Sequence, residues 1–218
     1  MSVMLAAVLL MQAPTAEGTF KKIEDGILKA KTLSIKYSWE RFRNGTRMES
    51  LRASLLLKEG NKGRIEYQSP ESATTVISDG KNLRVATNGK VTVERATPES
   101  FREDLCLGIS RAGATTYHLL VGIKGAEKAS PFRAYCTVDA FKLGSPGEET
   151  GSLTYQAHVT GDTDIYEGEM TYNSKDLRLL KRQLKLSSKG TVTLWSEKYD
   201  EFTLNADIAD DTFKLPEK

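Results

Sequence analysis

Residues 75–93 read TVISDGKNLRVATNGKVTV, and this stretch decides the fold class. Short segments of apolar and β-branched residues alternate with the pairs Asp79-Gly80 and Asn88-Gly89. Such pairs accept the positive φ angles that tight hairpin turns need, and strands joined by two-residue turns run antiparallel. The stretch therefore predicts a meander of antiparallel strands in which each reversal is a type I′ turn.

The same pattern continues on both sides of this stretch. Upstream, two segments alternate apolar and polar residues around Asn44-Gly45, and each segment predicts a strand with one apolar face. Their apolar positions are Leu33, Ile35, Tyr37 and Trp39 on the first, and Leu51, Ala53, Leu55 and Leu57 on the second. Downstream, extended segments separated by turn residues are predicted at 132–143, 152–160, 165–172, 177–187 and 191–204.

Two segments have the periodicity of helices instead. Phe20, Ile23, Ile27 and Leu28 form one stripe, which predicts a helix from Thr19, as its cap, to about Lys31. A second helix is predicted to start at Thr97-Pro98 and to end near Gly113, with Phe101, Leu105 and Ile109 on one stripe. Residues 117–121 fit a helix or a strand equally well.

These segments indicate a mainly β chain with helices, of the α+β class. We expect one continuous antiparallel sheet with helices packed on one face, because no linker or shift in composition divides the chain. Long, strongly twisted strands in this number tend to curl. We expect one domain over 17–218, preceded by a segment at 1–16.

That first segment has the character of an export signal. The apolar run from Val3 to Met11 is shorter than the roughly 20 residues that span a bilayer. A small, turn-prone stretch follows it at residues 12–16, as in a processing site. The alternative is a buried N-terminal strand or helical turn. Export would permit a disulfide between Cys106 and Cys136, and two buried thiols are the equal alternative.

The composition and the motifs exclude several functional classes. The 31 basic and 29 acidic residues form no block of like charge, so nucleic-acid binding is not indicated. The two histidines, His118 and His158, form no catalytic or metal motif, and no cofactor fingerprint is present. An acidic group at Asp162, Asp164, Glu167 and Glu169 fits a solvated hairpin better than a calcium site. We therefore expect no enzyme, metal or cofactor.

The candidate binding site is the apolar face of the strands. Its expected lining is Ile35, Tyr37, Trp39, Tyr67, Trp195 and Tyr199. In a closed sandwich these side chains would be core, whereas in a curled sheet they would line a hollow suited to lipid chains. Arg182 lies among leucines on one strand face, where it would contact an anionic head group at the mouth or extend to the edge.

The segment from Thr75 to Leu83 resembles the V-S-D-G-K-x-L hairpin of the LolA-like outer-membrane lipoprotein carriers. The segment from Arg64 to Pro70 is similar to that family's aromatic strand, and Phe213 to Pro216 is similar to its closing Phe-x-x-Pro. This resemblance implies an incomplete β-barrel with lid helices. It further implies an apolar hollow for the acyl chains of lipoproteins that cross the periplasm.

The leading hypothesis is therefore a non-enzymatic carrier outside the cytoplasm. Its partners would be a lipid or a lipidated protein and a membrane-associated donor or acceptor protein. The family's Arg-Pro turn is replaced here by Lys58-Glu59-Gly60, so the role of that arginine is not transferred. The alternative is a periplasmic sensor or protein-interaction domain with a filled core, and an enzyme centred on the acidic group is a third hypothesis.

Overall fold

A computed structural model describes residues 15–115, 135–145 and 147–215 of the chain. Their helices are α1 (Ala16–Lys29), α2 (Phe101–Arg111) and a short 3₁₀ helix (Asp210–Phe213). The strands are β1 (Thr32–Arg43), β2 (Thr46–Lys58), β3 (Lys62–Gln68), β4 (Ala73–Asp79), β5 (Asn82–Thr87), β6 (Lys90–Ala96), β7 (Cys136–Leu143), β8 (Thr150–Val159), β9 (Ile165–Asn173), β10 (Leu179–Ser188) and β11 (Thr191–Leu204).

All 11 strands form one antiparallel sheet in the order β6-β5-β4-β3-β2-β1-β11-β10-β9-β8-β7. Two meanders meet where β1 pairs with β11, and Tyr37 lies opposite Tyr199 at that junction. The sheet does not close on itself, because β6 and β7 remain its edges within the described part of the chain. The expected curled, open sheet with helices is confirmed.

Two hairpin turns have the type predicted from the residues at their tips, and a third does not. Asn44-Gly45 and Asn88-Gly89 have positive φ at both positions, as type I′ turns require. In the hairpin at Gly80, the central residues are Gly80 and Lys81, and only Gly80, at φ +97°, is left-handed. This is the pattern of a type II′ turn, so the type I′ prediction was wrong there.

The side chain of Asp79 explains this difference. Asp79 remains in β4, and its carboxylate accepts hydrogen bonds from the backbone N–H groups of Lys81 and Asn82, at 2.8 and 2.7 Å. These bonds lower the pKa of Asp79, led by the one from Asn82. The aspartate thus stabilises the turn as an acceptor beside it, not as a left-handed residue within it.

Helix α1 begins earlier than the sequence pattern suggested. Thr15, not Thr19, is the cap, and its hydroxyl accepts the N–H of Gly18 at 3.0 Å. Thr19 lies inside the helix and is buried. Of the predicted stripe, Phe20, Ile23 and Ile27 are buried as expected, and Leu28 is half-buried against the core.

Helix α2 begins later than predicted, at Phe101, because residues 97–100 form an extended entry and a turn. The stripe of Phe101, Leu105 and Ile109 is buried, as expected. The guanidinium of Arg102 donates to the carbonyls of Leu28 and Ala30, which fixes α2 against the end of α1. The two helices therefore lie together over one face of the sheet.

The C-terminal segment packs on the opposite face. Its 3₁₀ helix contacts β3 and β4, and Phe213 is buried there. Asp210 bridges Lys58 and Lys62 at 2.9 and 3.1 Å. The segment thereby closes the side of the sheet that the helices leave bare near β3.

Four sequence predictions fall outside the described residues. These are His118, the ambiguous segment at 117–121, most of the export-signal segment (residues 1–14) and Pro216. Thr15 and Ala16, the last two residues of that predicted segment, belong to the start of α1.

Candidate functional site

The strand register places the candidate binding residues on one face of the sheet. Trp39 lies opposite Glu197, which lies opposite Arg182 on the next strand. Side chains of directly paired residues point to the same side. The residues brought together are Ile35, Tyr37, Trp39, Tyr67, Arg182, Trp195 and Tyr199. We call this surface the inner face, because α1 and α2 pack on it.

One end of the inner face is fully covered. Leu33, Ile35, Leu55 and Leu57 have no exposed surface, and Ile65 is 1% exposed. They belong to one apolar cluster with the buried faces of α1 and α2. We call this region the covered end, and its residues form the core of the protein.

The other end of the inner face remains partly open. Its apolar side chains are half-buried and pack only against the margin of the core. The rings of Tyr166 and Trp195 lie 6.1 Å apart there. We call this set the open rim: Leu51, Tyr67, Val76, Val85, Tyr166 and Trp195. It presents apolar surface from both meanders on one side of the curled sheet.

The predicted residues divide between these environments. Ile35, Tyr37, Trp39 and Tyr199 are buried, with Tyr37 and Trp39 at 2% and 3% exposure. Tyr67 and Trp195 belong to the open rim, and the seventh residue, Arg182, is described below. The face expected from the alternation of apolar residues is thus a packed core at one end and an accessible apolar surface at the other.

A buried ion pair joins the two helices above the sheet. Glu24 of α1 accepts two hydrogen bonds from the guanidinium of Arg111 of α2, at 2.8 and 2.9 Å. These bonds raise the pKa of Arg111 against the opposing effect of burial. Arg111 also donates to the carbonyl of Cys136 on β7, so the pair ties both helices to the sheet edge.

A second carboxylate holds the chain just after α2. Glu197 accepts the backbone N–H groups of Ala114 and Thr115 at 3.0 and 2.8 Å. Gly113 precedes them at φ +102°, and a Cβ there would lie 2.9 Å from the Glu197 carboxylate. Tyr199 donates its hydroxyl to the same carboxylate. Only a glycine permits this approach, in which successive backbone N–H groups surround an anion.

Arg182 lies beneath the same helix end. It is 1% exposed, and its Nη1 donates to the carbonyl of Ser110 and the hydroxyl of Tyr155, at 2.8 and 2.7 Å. Burial opposes its charge, but Tyr155, Tyr199 and Glu197 together raise its pKa. The expectation that Arg182 lies at the mouth or extends to the edge was therefore wrong, since helix α2 covers this strand position.

The tyrosines of this cluster remain neutral. Burial, reinforced by Glu197, raises the pKa of both Tyr37 and Tyr199 well above the ordinary value. Thr115 donates its hydroxyl to Tyr37 at 3.1 Å, so the segment after α2 is bonded to the floor of the inner face. The cluster forms a polar layer between the helices and the sheet.

The two cysteines are free thiols. Both are buried, and burial raises the pKa of each to about 11. Of the two alternatives left open by the sequence, the structure contains the thiols and not the disulfide.

The histidine and the acidic group considered from the sequence lie at the sheet edge and at a turn. No group of three His, Cys, Asp or Glu side chains lies close enough there to hold a metal ion. His158 bonds Asp139 at the exposed edge of the sheet. Asp162 accepts the hydroxyl of Tyr166 and the N–H of Asp164, as a turn-forming carboxylate does. None of the described helices has the length and hydrophobicity of a membrane crossing.

The outer face of the sheet has three open grooves among the described residues, of about 740, 550 and 370 Å³. The first two share Ser38, Arg52 and Gln68, whose register places them on the side away from the helices. Charged, hydroxyl and amide side chains line all three beside some apolar surface, whereas aromatic and aliphatic side chains line the inner face. The apolar candidate surface is therefore the inner face.

Three charged residues of the polar layer, Glu24, Arg111 and Glu197, were not predicted from the sequence. Glu24 follows Phe20 by four residues and so shares its helix stripe, and Glu197 lies between Trp195 and Tyr199 in strict alternation. The spacing of both residues places a charge on an apolar face, and this could have identified them from the sequence. Arg111 carried no such signal, because its partner lies on another helix.

Comparison with known proteins gives similarity of structure without similarity of sequence. No family model matches the chain, and no curated protein is similar enough in sequence to match it. Among solved structures, a LolA superfamily protein from Nitrosomonas europaea matches with 12% identity over 93% of this chain and 99% of its own, at a TM-score of 0.39. LprF from Mycobacterium bovis matches with 8% identity over 90% and 96%, at a TM-score of 0.44.

MucB, solved in complex with MucA from Pseudomonas aeruginosa, is a third match. It has 12% identity and a TM-score of 0.44, and the match covers 92% of this chain and 61% of the matched protein. At these TM-scores the fold rests on the strand pairing of the chain itself.

Proposed function

We propose that the protein binds the hydrocarbon chains of a lipid or of a lipidated protein on its inner face. The observation that carries this proposal is the open rim, where half-buried Leu51, Tyr67 and Trp195 continue the apolar surface of the core. Each methylene removed from water there contributes about 0.8 kcal/mol, so a chain of modest length binds without any polar contact. The protein acts as a carrier and not as an enzyme.

The export-signal segment and the family resemblance favour a location in the periplasm or elsewhere outside the cytoplasm. A carrier in that compartment receives its ligand from one membrane-associated protein and delivers it to another. The lipid is held while it crosses the aqueous space, because its chains are shielded from water by the inner face.

Native mass spectrometry of the protein, followed by lipid extraction, tests the proposal. We expect co-purifying lipid and displacement of the neutral probe phenylnaphthylamine by acyl lipids. Leu51→Asp, which places a charge on the open rim, should weaken probe binding by about tenfold or more. Ser50→Asp, on the outer face of the same strand, is the matched control and should bind the probe normally. Equal binding by both variants would contradict the proposal.

A second candidate is a sensor or protein-interaction domain with a filled core. The burial of Ile35, Tyr37 and Trp39 at 0%, 2% and 3% favours it, because these residues are packed like core. The two candidates differ at the open rim. A protein-interaction domain would bind neither the probe nor any acyl lipid, while its partner would protect the rim.

A further inference from the structure

Two buried side chains of the inner face have donors without acceptors. Trp39 and Arg182 are 3% and 1% exposed. The Nε1 of Trp39 and the Nε and Nη2 of Arg182 have no acceptor in good hydrogen-bond geometry among the described residues. The Tyr199 hydroxyl lies close enough to the Arg182 guanidinium to help raise its pKa, but it already donates to Glu197. Buried donors in folded proteins are almost always paired, so each exception requires an explanation.

The two donors flank one carboxylate in a single row across the sheet. Trp39, Glu197 and Arg182 are paired successively on three neighbouring strands. At about 4.8 Å per strand, the outer two are about 10 Å apart at Cα. The Glu197 carboxylate between them already accepts Ala114, Thr115 and Tyr199. It therefore leaves the donors on either side unpaired.

The charges around these donors are already balanced. Glu24 is paired with Arg111, and Arg182 faces Glu197 across the strands. A ligand anion would therefore add an uncompensated charge to a buried layer, which is strongly unfavourable. An uncharged oxygen would satisfy an N–H group without changing this balance.

We propose that the ligand carries an ester or amide carbonyl beside its hydrocarbon chain and that Arg182 and Trp39 donate hydrogen bonds to such carbonyls. This inference rests on the proposed function and specifies its ligand class. The protein selects acyl lipids and acylated proteins over alkyl ethers and over free fatty acids. Arg182 thus recognises an uncharged linkage and not the anionic head group that the sequence suggested.

A set of three ligands with the same hydrocarbon length tests the selectivity on the unmodified protein. Monopalmitoylglycerol has the carbonyl, hexadecylglycerol lacks it, and palmitate replaces it with a charge. Their affinities are compared through displacement of phenylnaphthylamine. We expect the ester to bind about tenfold or more tightly than the ether, because the ether leaves a buried donor without an acceptor. We also expect the ester to bind more tightly than palmitate.

Two conservative variants locate the donors. Arg182→Lys keeps the charge beside Glu197 but loses the guanidinium, and with it Nη2 and the Nη1 bonds to Ser110 and Tyr155. Trp39→Phe removes the indole N–H and part of the ring. The variant that removes the donor reached by the single carbonyl of monopalmitoylglycerol should lower the ratio of ester to ether affinity, while Arg178→Lys, at an exposed position, should leave it unchanged. An unchanged ratio in both Arg182→Lys and Trp39→Phe contradicts the assignment of these donors, and if Arg182→Lys does not fold by circular dichroism, the three ligands on the unmodified protein still decide the matter.

The outcomes separate the two proposals. Equal affinity for the ester and the ether in the unmodified protein overturns the carbonyl inference and leaves hydrocarbon binding standing. Tighter binding of palmitate than of the ester overturns the charge argument, and with it the ligand class. Failure of all three ligands to displace the probe overturns the proposed function itself.

Discussion

Leu55 and Ile65 at the covered end are 0% and 1% exposed, whereas Leu51 and Tyr67, on the same two strands and the same face, are half-buried. The four residues have the same alternation and the same apolar character. What differs is the presence of α1 and α2 above the first pair. The comparison teaches that an apolar strand face becomes core or binding surface according to what packs over it.

The polar layer lies between the helices and the sheet. It joins α1, α2, the segment after α2 and four strands through a small number of buried groups. If this layer holds the helices over the covered end, its removal should cost the most stability of any change on the inner face.

Glu197→Ala should therefore have the largest effect. It removes the acceptor of Ala114, Thr115 and Tyr199 and leaves Arg182 without its facing charge. We expect a loss of about 3–5 kcal/mol in the free energy of unfolding, as when one partner of a buried pair is deleted. Glu201→Ala, on the outer face of the same strand, should cost less than about 1 kcal/mol. Urea denaturation measures both losses, and losses of similar size would contradict a stabilising role for the polar layer.

Leu55→Ala and Leu51→Ala compare the two ends directly. Leu55→Ala leaves a cavity in the covered end and should cost about 2–5 kcal/mol. Leu51→Ala should cost clearly less, because its site is partly open to water already. Urea denaturation of the two variants checks the order, and a larger cost at Leu51 would show that the rim is core.

The next largest effect should be a loss of stability at alkaline pH, caused by the tyrosines of the polar layer. The folded pKa of Tyr37 and of Tyr199 lies above the ordinary value of 10.0, so the stability they contribute is complete below pH 10. It is lost as the pH rises from there through the raised folded values. We expect unfolding free energies to fall above pH 10, measured by urea denaturation, and a smaller fall in the double variant Tyr37→Phe, Tyr199→Phe. An unchanged slope in that variant would contradict the assignment.

The thiols should give the smallest effect, on reactivity and not on stability. Cys106 and Cys136 are buried with pKa values raised to about 11, so the thiolate is scarce at neutral pH. We expect neither to react with a thiol reagent at pH 8 in the native protein and both to react after denaturation without reductant. A protein that releases thiols only after reduction would contain the disulfide instead.

The sequence was sufficient for the parts of the fold that local chemistry controls. Alternation located β1 and β2, and the Asn-Gly pairs identified two hairpins with the correct turn type. It misplaced the starts of both helices, because Thr19 and Thr97 have the residue type of a cap while Thr15 and Ser100 occupy the position. Residue type alone does not fix which of several nearby candidates is used.

The sequence predicted which residues share the inner face, but it did not predict which of them are buried. The seven chosen residues share one side of the sheet, since alternation determines that. The burial of Arg182 depends on Ser110 and Tyr155, which are 72 and 27 residues away in sequence. The same is true of Glu197 and its partners after α2. Such long-range contacts leave no periodic signal, so the sequence alone could not separate the covered end from the rim.

Quenching of tryptophan fluorescence by a brominated acyl chain tests the central claim most directly. The protein has two tryptophans, Trp39 and Trp195, and the register places both on the inner face. Because bromine quenches an indole only at contact, monoacylglycerol with a dibrominated chain should quench the fluorescence, and the unbrominated lipid should not. The variant Trp39→Phe, in which Trp195 of the open rim is the remaining indole, should be quenched strongly. Equal fluorescence with both lipids would mean that no hydrocarbon chain reaches the inner face, and this would contradict the account.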